Sequence, residues 1–265
     1  LRADAIREKA EAELINLHPD FEKIRSGDEF HNWAEDQPKW IQDALYENDD
    51  DARAASRAVD LYKADWSIFS ALILSPGIAL SYPEPHEIVH LARKYDVEII
   101  GDIELLVRNN LNARLIGITG TNGKSTTTAL IGHLFQNAGH NVQVGGNLGT
   151  PVMDLEPLNE SGNYVLEISS YQLDLTQSLA LDVALLLNIG TDHLDRHGGI
   201  DGYISSKKRI FSNQDSDHIA IIGLDDPPSR FIYDELKKIG LGNIIGISGE
   251  QPISGGVYAH SGVLY

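Results

Sequence analysis

Cysteine is absent from the 265 residues, methionine occurs once and tryptophan three times. The first absence excludes disulfides and thiolate metal sites, which fits a reducing compartment. No run approaches the ~20 uninterrupted apolar residues a membrane helix needs. The first residues form a charged amphipathic stretch without the shape of a signal peptide, so a cytoplasmic protein is expected. Positive charge is scarce: 21 Lys and Arg stand against 39 Asp and Glu, a formal net charge of -18. Such a surface lacks the cations that displace counterions from nucleic acid, so neither nucleic acid nor membrane is an expected partner. Any phosphate ligand has to be caught by local chemistry.

What is present is enough apolar sequence, 42% of the residues, to bury a core. Residues 1–64 read as acidic helix. "LRADAIREKAEAELINL" places Ile6, Ala10, Leu14 and Leu17 at helical spacing, and Phe30, Trp33 and Trp40 read as core or interface anchors. The acidic run from Glu47 to Asp51 lacks the spacing of a calcium loop and reads as a solvated turn or helix start. From Trp66 the pattern changes to apolar strands alternating with helices, which predicts an α/β fold: a mostly parallel sheet with helices on both faces. The expected organisation is a helical segment over 1–64, a partial Rossmann-like unit over 65–112 and a nucleotide-binding domain over 113–265. The ending "GGVYAHSGVLY" is β-like without a closing helix and predicts a truncated domain.

One stretch carries a specific chemistry. The apolar strand Leu115 to Ile118 runs into Thr119, Gly120, Thr121, Asn122, Gly123, Lys124, Ser125 and Thr126, which open a helix. Strand, glycine loop and helix start form a phosphate cradle: glycine lets backbone N–H groups turn toward phosphate oxygens, and the helix N-terminus adds unpaired donors and a positive dipole. Lys124 is placed to reach the terminal phosphates and Ser125 to ligate magnesium. The general pattern asks for glycine five residues before Gly123, where this chain has Ile118.

A magnesium nucleotide calls for another hard oxygen ligand, and Glu167 in "YVLEISSYQ" stands near the C-terminal end of an apolar strand, the edge where open α/β sheets bind ligands. The alternative is a strand-end carboxylate paired with a basic side chain. "NIGTDHLDRHG" gathers Asp192, His193, Asp195, Arg196 and His197 after another apolar strand; spacing does not choose between a functional cluster and a solvated loop. In "DGYISSKKRIF", Lys207 falls on the face of Tyr203 and Ile210, Lys208 near Ile204 and Phe211, and Arg209 points more outward. Periodicity does not choose between the two lysines.

Taken together, "TGTNGKST", "GGNLGTP", "LEISSYQL", "NIGTDHLDRHG" and "YISSKKRIF", in that order, resemble the Mur ligase family. "LSPGI" followed by "IIGDIEL" points to its D-glutamate-adding members. The resemblance spans about three quarters of the chain and includes the departure at Ile118. It implies ATP-dependent ligation of D-glutamate to UDP-N-acetylmuramoyl-L-alanine through an acyl phosphate, in peptidoglycan precursor synthesis. It further implies that Gly120 to Thr126 hold ATP, that Ser125 and Glu167 serve a first magnesium ion, and that His193 and a carbamylated Lys207 serve a second. Substrate contacts are implied at Asn147, Ser169 and Gln172, and at Gly77 toward the uridine end, with Asp192 and Asp195 shaping the histidine loop. Residues 1–64 do not match the family, the amino-acid-binding C-terminal domain is expected to be missing, and Gly223 stands where relatives usually carry Asn. The chain by itself is therefore expected to bind Mg-ATP weakly and not to turn over. Another Mur ligase, a folylpolyglutamate synthase-like ligase and a non-catalytic nucleotide-binding or scaffold module are the rival readings.

Overall fold

The structure is a computed structural model that describes residues 2–47, 51–64, 69–109 and 112–265, with the side chains of residues 2–5 and 7 left aside. Trp66 and most of the Glu47–Asp51 run lie outside the described residues. Two compact units are distinguished, residues 1–70 with 91–97, and residues 71–90 with 98–265.

The first unit is helical: α1 (Arg2–Leu17), α2 (Phe21–Arg25), α3 (Asp28–Glu35), α4 (Lys39–Gln42), a π-helical turn (Asp43–Glu47) and α5 (Ala52–Lys63). Asp51 accepts from the N–H groups of Arg53 and Ala54 and so caps the start of α5. Leu14, Phe21, Phe30, Ala52, Ala55 and Val59 form its core, with Phe30 edge-on to Tyr62 at 4.9 Å. Only part of the predicted α1 stripe is buried: Leu14 is covered, whereas Ile6 and Leu17 are about half exposed.

In the second unit, β1 (Ala71–Ile73) and β2 (Glu98–Ile100) form a small parallel β pair followed by α7 (Asp102–Asn109); the helix between the strands, α6 (Glu87–Lys94), is divided between the units after His90. The large sheet follows: β3 (Arg114–Thr119), α8 (Lys124–Asn137), β4 (Val142–Gly146), β5 (Asn163–Glu167), α9 (Ser170–Asp174), β6 (Val183–Leu186), α10 (Ile200–Lys208), β7 (Ile219–Gly223), α11 (Pro227–Lys238), β8 (Asn243–Ser248), β9 (Val257–His260) and β10 (Val263–Leu264). Its order is β10-β9-β8-β7-β6-β3-β5-β4, parallel throughout except for the antiparallel pair β9 and β10.

The alternation of side chains along a strand sorts β3 between two cores. Ile116 and Ile118 join Val165 and Leu185 on the face covered by Ile131 and Phe135 of α8. Leu115 joins Tyr164, Leu166 and Leu186 on the opposite face, with Leu173 of α9, Tyr203 of α10 and Ile232 and Leu236 of α11. With both faces covered, the polar chemistry is confined to the sheet's edges and loops, and β3 sits in the middle of the strand order.

The small β pair is tied to α9 by buried polar contacts. Glu104, fully buried, accepts from the backbone N–H of Gln177 (2.7 Å) and Ser178 (3.0 Å), from Ser178 Oγ (2.7 Å) and from Arg108. Burial alone would raise its pKa; these donors outweigh it and hold the carboxyl below its usual range. Gln172 Nε2 donates to Asp102, and Gly101 N–H to Leu175 O. Arg209 does not point outward as expected. Its guanidinium donates to the carbonyls of Leu173 and Thr176, so the orphan carbonyls at the end of α9 take up the charge that was expected in solvent.

Candidate active site

The loop after β3 begins the site. Gly123 has φ 83° and is the N-cap of α8, a backbone that only glycine adopts at little cost. No side chain caps this helix, so its first amides are left to whatever lies in the loop. Ser125 and Thr126 stand exposed at the helix mouth. Lys124 folds back, with Nζ donating to the carbonyls of Gly120 and Thr121, each at 2.9 Å.

A second ammonium reaches the same atom. Lys207 Nζ, on α10, donates to the Gly120 carbonyl at 2.9 Å and lies 4.7 Å from the ring centre of Tyr203. Lys207 is 1% exposed, and among the described residues no carboxylate pairs with it. Burial first, then the charge of Lys124, pushes its pKa down to about 7, with Asp192 pulling the other way. Lys208, one residue on, is an ordinary surface cation paired with Glu235. Burial thus separates two lysines that periodicity left equivalent.

The carboxylate expected from the sequence stands beside this loop. Glu167 is 1% exposed, in register with Ile118 of β3 on one side and Gly146 of β4 on the other. Its Oε1 accepts from Asn147 Nδ2 at 3.1 Å, and no basic side chain among the described residues pairs with it. The alternative of a strand-end ion pair is therefore not what the fold provides. Gly146 admits this arrangement because a Cβ there would fall 2.1 Å from the Glu167 carbonyl oxygen. Two unneutralised ammonium groups and an unpaired buried carboxylate are costly alone. Their donor chemistry suits a polyphosphate and a hard divalent cation.

The remaining candidates divide. Asn147 is joined to Glu167 through both side chain and backbone. Ser169 and Gln172 form a reciprocal capping box at the start of α9, so both are engaged in holding that turn. Gly77 is exposed, and its carbonyl accepts from Arg196 at 3.2 Å. Beside it lies a cleft of about 260 Å³ lined by Pro76, Ile78, Tyr82, Tyr171, Arg196 and His197.

The histidine loop splits as well. His193 is 54% exposed in its side chain, has a left-handed φ of 49°, and lies near Asp192 and the Tyr171 ring. No bond or ring contact joins it to Lys207, and among the described residues no group of three His, Asp or Glu side chains is arranged around a metal position. His197 is buried between Ser170 Oγ (2.9 Å) and Asp174 (3.3 Å), stacked on Tyr171, and serves the packing of α9.

Two residues without a role in the sequence reading bond the glycine loop directly, and a third supports one of them. Asn188, just past β6, bonds both backbone groups of Asn122. Tyr203 places its hydroxyl 3.1 Å from Thr121 Oγ1, and Asp226 accepts from Ile189 N–H while capping α11. The signals available for Asn188 were its place at the head of "NIGTDHLDRHG" and a polar residue where an apolar strand reaches the sheet's ligand-binding edge.

Residues 118–259 match the Mur ligase middle domain family. The UDP-N-acetylmuramoylalanine--D-glutamate ligase of Caulobacter vibrioides (strain NA1000 / CB15N) is 51% identical over 234 residues, covering 84% of this chain and 50% of the relative. Its counterpart in Phenylobacterium zucineum is 47% identical with the same coverage, and that of Rhodospirillum rubrum 48% identical over 75% of this chain and 42% of the relative. The chain thus spans about half the length of the curated relatives it matches. A solved MurF ligase from Thermotoga maritima in complex with ADP is 18% identical over 76% of this chain and 56% of that one, with a TM-score of 0.43.

Proposed function

The chain belongs to the Mur ligase family, and we propose that it forms the nucleotide-handling centre of an ATP-dependent amide ligase that joins D-glutamate to UDP-N-acetylmuramoyl-L-alanine in the cytoplasm. The observation that carries this reading is the pair of ammonium groups, Lys124 and Lys207, on the Gly120 carbonyl at the mouth of an uncapped helix. Relatives named for that ligation support the choice of substrates. On this reading residues 113–265 are the ATP-binding domain, 65–112 part of the UDP-substrate domain, and 1–64 a segment outside the family pattern.

In the first step a carboxylate oxygen of the L-alanyl group attacks the γ-phosphorus, the bond to the β,γ-bridging oxygen breaks, and ADP leaves with that electron pair. The amine of D-glutamate then attacks the acyl carbon, the carbon–oxygen bond to phosphate breaks, and the amine gives up a proton. Little covalent work falls to the protein in such a transfer; positioning and charge neutralisation dominate. The amides at the start of α8 hold the phosphate oxygens, and Lys124 turns from the loop carbonyls to the terminal phosphates. Magnesium, held by Ser125 and Glu167, supplies further neutralisation when bound.

A lysine whose pKa is pushed down to about 7 exchanges between ammonium and free amine near neutral pH. Its free amine can add to carbon dioxide, forming the N–C bond and releasing a proton, so that Lys207 ends as a carbamate anion. That change would remove one of two crowded cations and create an oxygen donor that, with His193, could serve a second magnesium ion. Asn147, Ser169 and Gln172 are the proposed contacts of the muramoyl and acyl-phosphate region, and Gly77 that of the uridine end.

Titration of the chain with Mg-ADP tests the reading: binding is expected to require magnesium and to be lost in Lys124→Ala. Binding that ignores both would overturn it. The acceptor is tested by ATP-dependent amide formation with UDP-N-acetylmuramoyl-L-alanine against its longer peptide derivatives and against folates; preference for either rival would replace D-glutamate addition.

A further inference from the structure

The segment after β6, Leu187 to Gly190, carries one polar side chain, Asn188, and its amide is aimed at the phosphate loop. Asn188 Oδ1 accepts from the backbone N–H of Asn122 at 2.8 Å, and Asn188 Nδ2 donates to the backbone carbonyl of the same residue at 3.1 Å. The side chain therefore pairs with both polar groups of one loop residue, as a neighbouring strand would. Only an amide side chain has a donor and an acceptor side by side; aspartate would accept from the N–H but face the carbonyl with a second negative oxygen, and alanine would supply neither.

Asn188 is itself held on both sides. Its own carbonyl accepts from Thr121 N–H at 2.9 Å, Ile189 N–H donates to Asp226, and Gly190 N–H donates to Thr121 Oγ1 at 2.9 Å. The clamp thus follows directly on β6 and is tied through Ile189 to Asp226, the residue that caps α11. Its target lies between the two carbonyls that receive Lys124 and the left-handed Gly123 that starts α8. A turn of the peptides around Asn122 would swing those carbonyls and the first amides together. With both backbone groups of Asn122 engaged, that rotation costs two hydrogen bonds.

We infer that Asn188 is a positioning residue: its side-chain amide clamps the backbone of Asn122 and holds the phosphate loop in its ligand-binding form before nucleotide arrives. The inference rests on the reading of Gly120 to Thr126 as the nucleotide site. A loop ordered in advance binds more tightly because the cost of ordering it is not charged to binding.

The test uses the whole chain, with Mg-ADP and magnesium tripolyphosphate as probes. Two readouts are taken for wild type, Asn188→Ala and Asn188→Asp: affinity by calorimetry, and hydrogen exchange of the Asn122 amide without ligand. Losing the pair is expected to weaken both probes about tenfold in Asn188→Ala and to speed exchange at Asn122. Asn188→Asp, nearly the same shape, is expected to weaken both probes further, because it places a negative charge beside the phosphates; it also serves if the alanine variant does not fold. Wild-type affinity in both variants, or weaker binding with no change in exchange at Asn122, overturns the inference while leaving the nucleotide reading intact; the second result would make Asn188 a direct ligand contact. A wild-type chain that binds neither probe overturns the nucleotide reading and the inference with it.

Discussion

The loops that follow β3 and β6 leave adjacent strands of one sheet, yet they are built in opposite ways. Gly120 to Ser125 is tied down by Lys124, Lys207, Asn188 and Gly190, while the first amides of α8 remain uncapped. Asp192 to His197 carries an exposed histidine in a left-handed backbone and few bonds at its tip. The phosphate grip is preorganised, whereas the histidine side has its chemistry on a more open loop. Binding free energy can go directly into holding phosphate at the first loop, and has to include ordering at the second.

Three substitutions sharpen that contrast, the largest effect first. Lys124→Ala removes a charge-assisted donor from the preorganised side, and a loss of about a hundredfold in Mg-ADP affinity is expected; calorimetry on the folded variant measures it, and a change under threefold would mean that the loop holds phosphate by backbone alone. Next, Lys207→Met removes a buried cation that lacks a carboxylate partner. In carbonate-free buffer it is expected to leave the fold intact and raise stability at pH 7 by about 1–3 kcal/mol, measured by urea unfolding. The sign follows from linkage: the native state sheds this proton near pH 7, whereas the unfolded state keeps it to about pH 10. Wild-type stability therefore gains up to ~1.4 kcal/mol per pH unit across that interval from this one group. The gain should vanish in Lys207→Met and persist in Lys208→Met. An unchanged slope in Lys207→Met would show that the buried amine is not the titrating group.

The smallest effect is expected on the open side. His193→Ala should change Mg-ADP affinity less than twofold, since the ring makes no bond to the phosphate loop. A tenfold loss would mean that the histidine loop closes onto the nucleotide and belongs to the same grip.

Much of the architecture was legible in the order of residues. Uniformly apolar strands separated by helices announced the parallel sheet, because a strand covered on both faces has no solvent side to mark with polar residues. Gly-Lys-Ser after an apolar strand marked the phosphate loop, because its chemistry is local: a glycine turn, a helix start and a lysine four residues apart are all contiguous. Glu167 was visible for a similar reason, as an acidic residue at the end of an apolar strand.

Other assignments depend on residues far apart in the chain. Lys207 and Lys208 are equivalent by periodicity and the family resemblance alone favoured Lys207; the packing of α10 puts one ammonium on the Gly120 carbonyl and the other on Glu235. Arg209 looked solvated until α9 was seen to end beneath it. Asn188 opens the block "NIGTDHLDRHG", but its role as a clamp comes from a partner 66 residues earlier. Composition and local pattern were enough to specify the strands, the helices and the glycine loop that opens α8, because those follow from neighbouring residues. Tertiary packing decided where the buried lysine places its ammonium, which histidine is covered and which amide clamps the loop, because burial and hydrogen-bond partners are set by the strand order of the sheet.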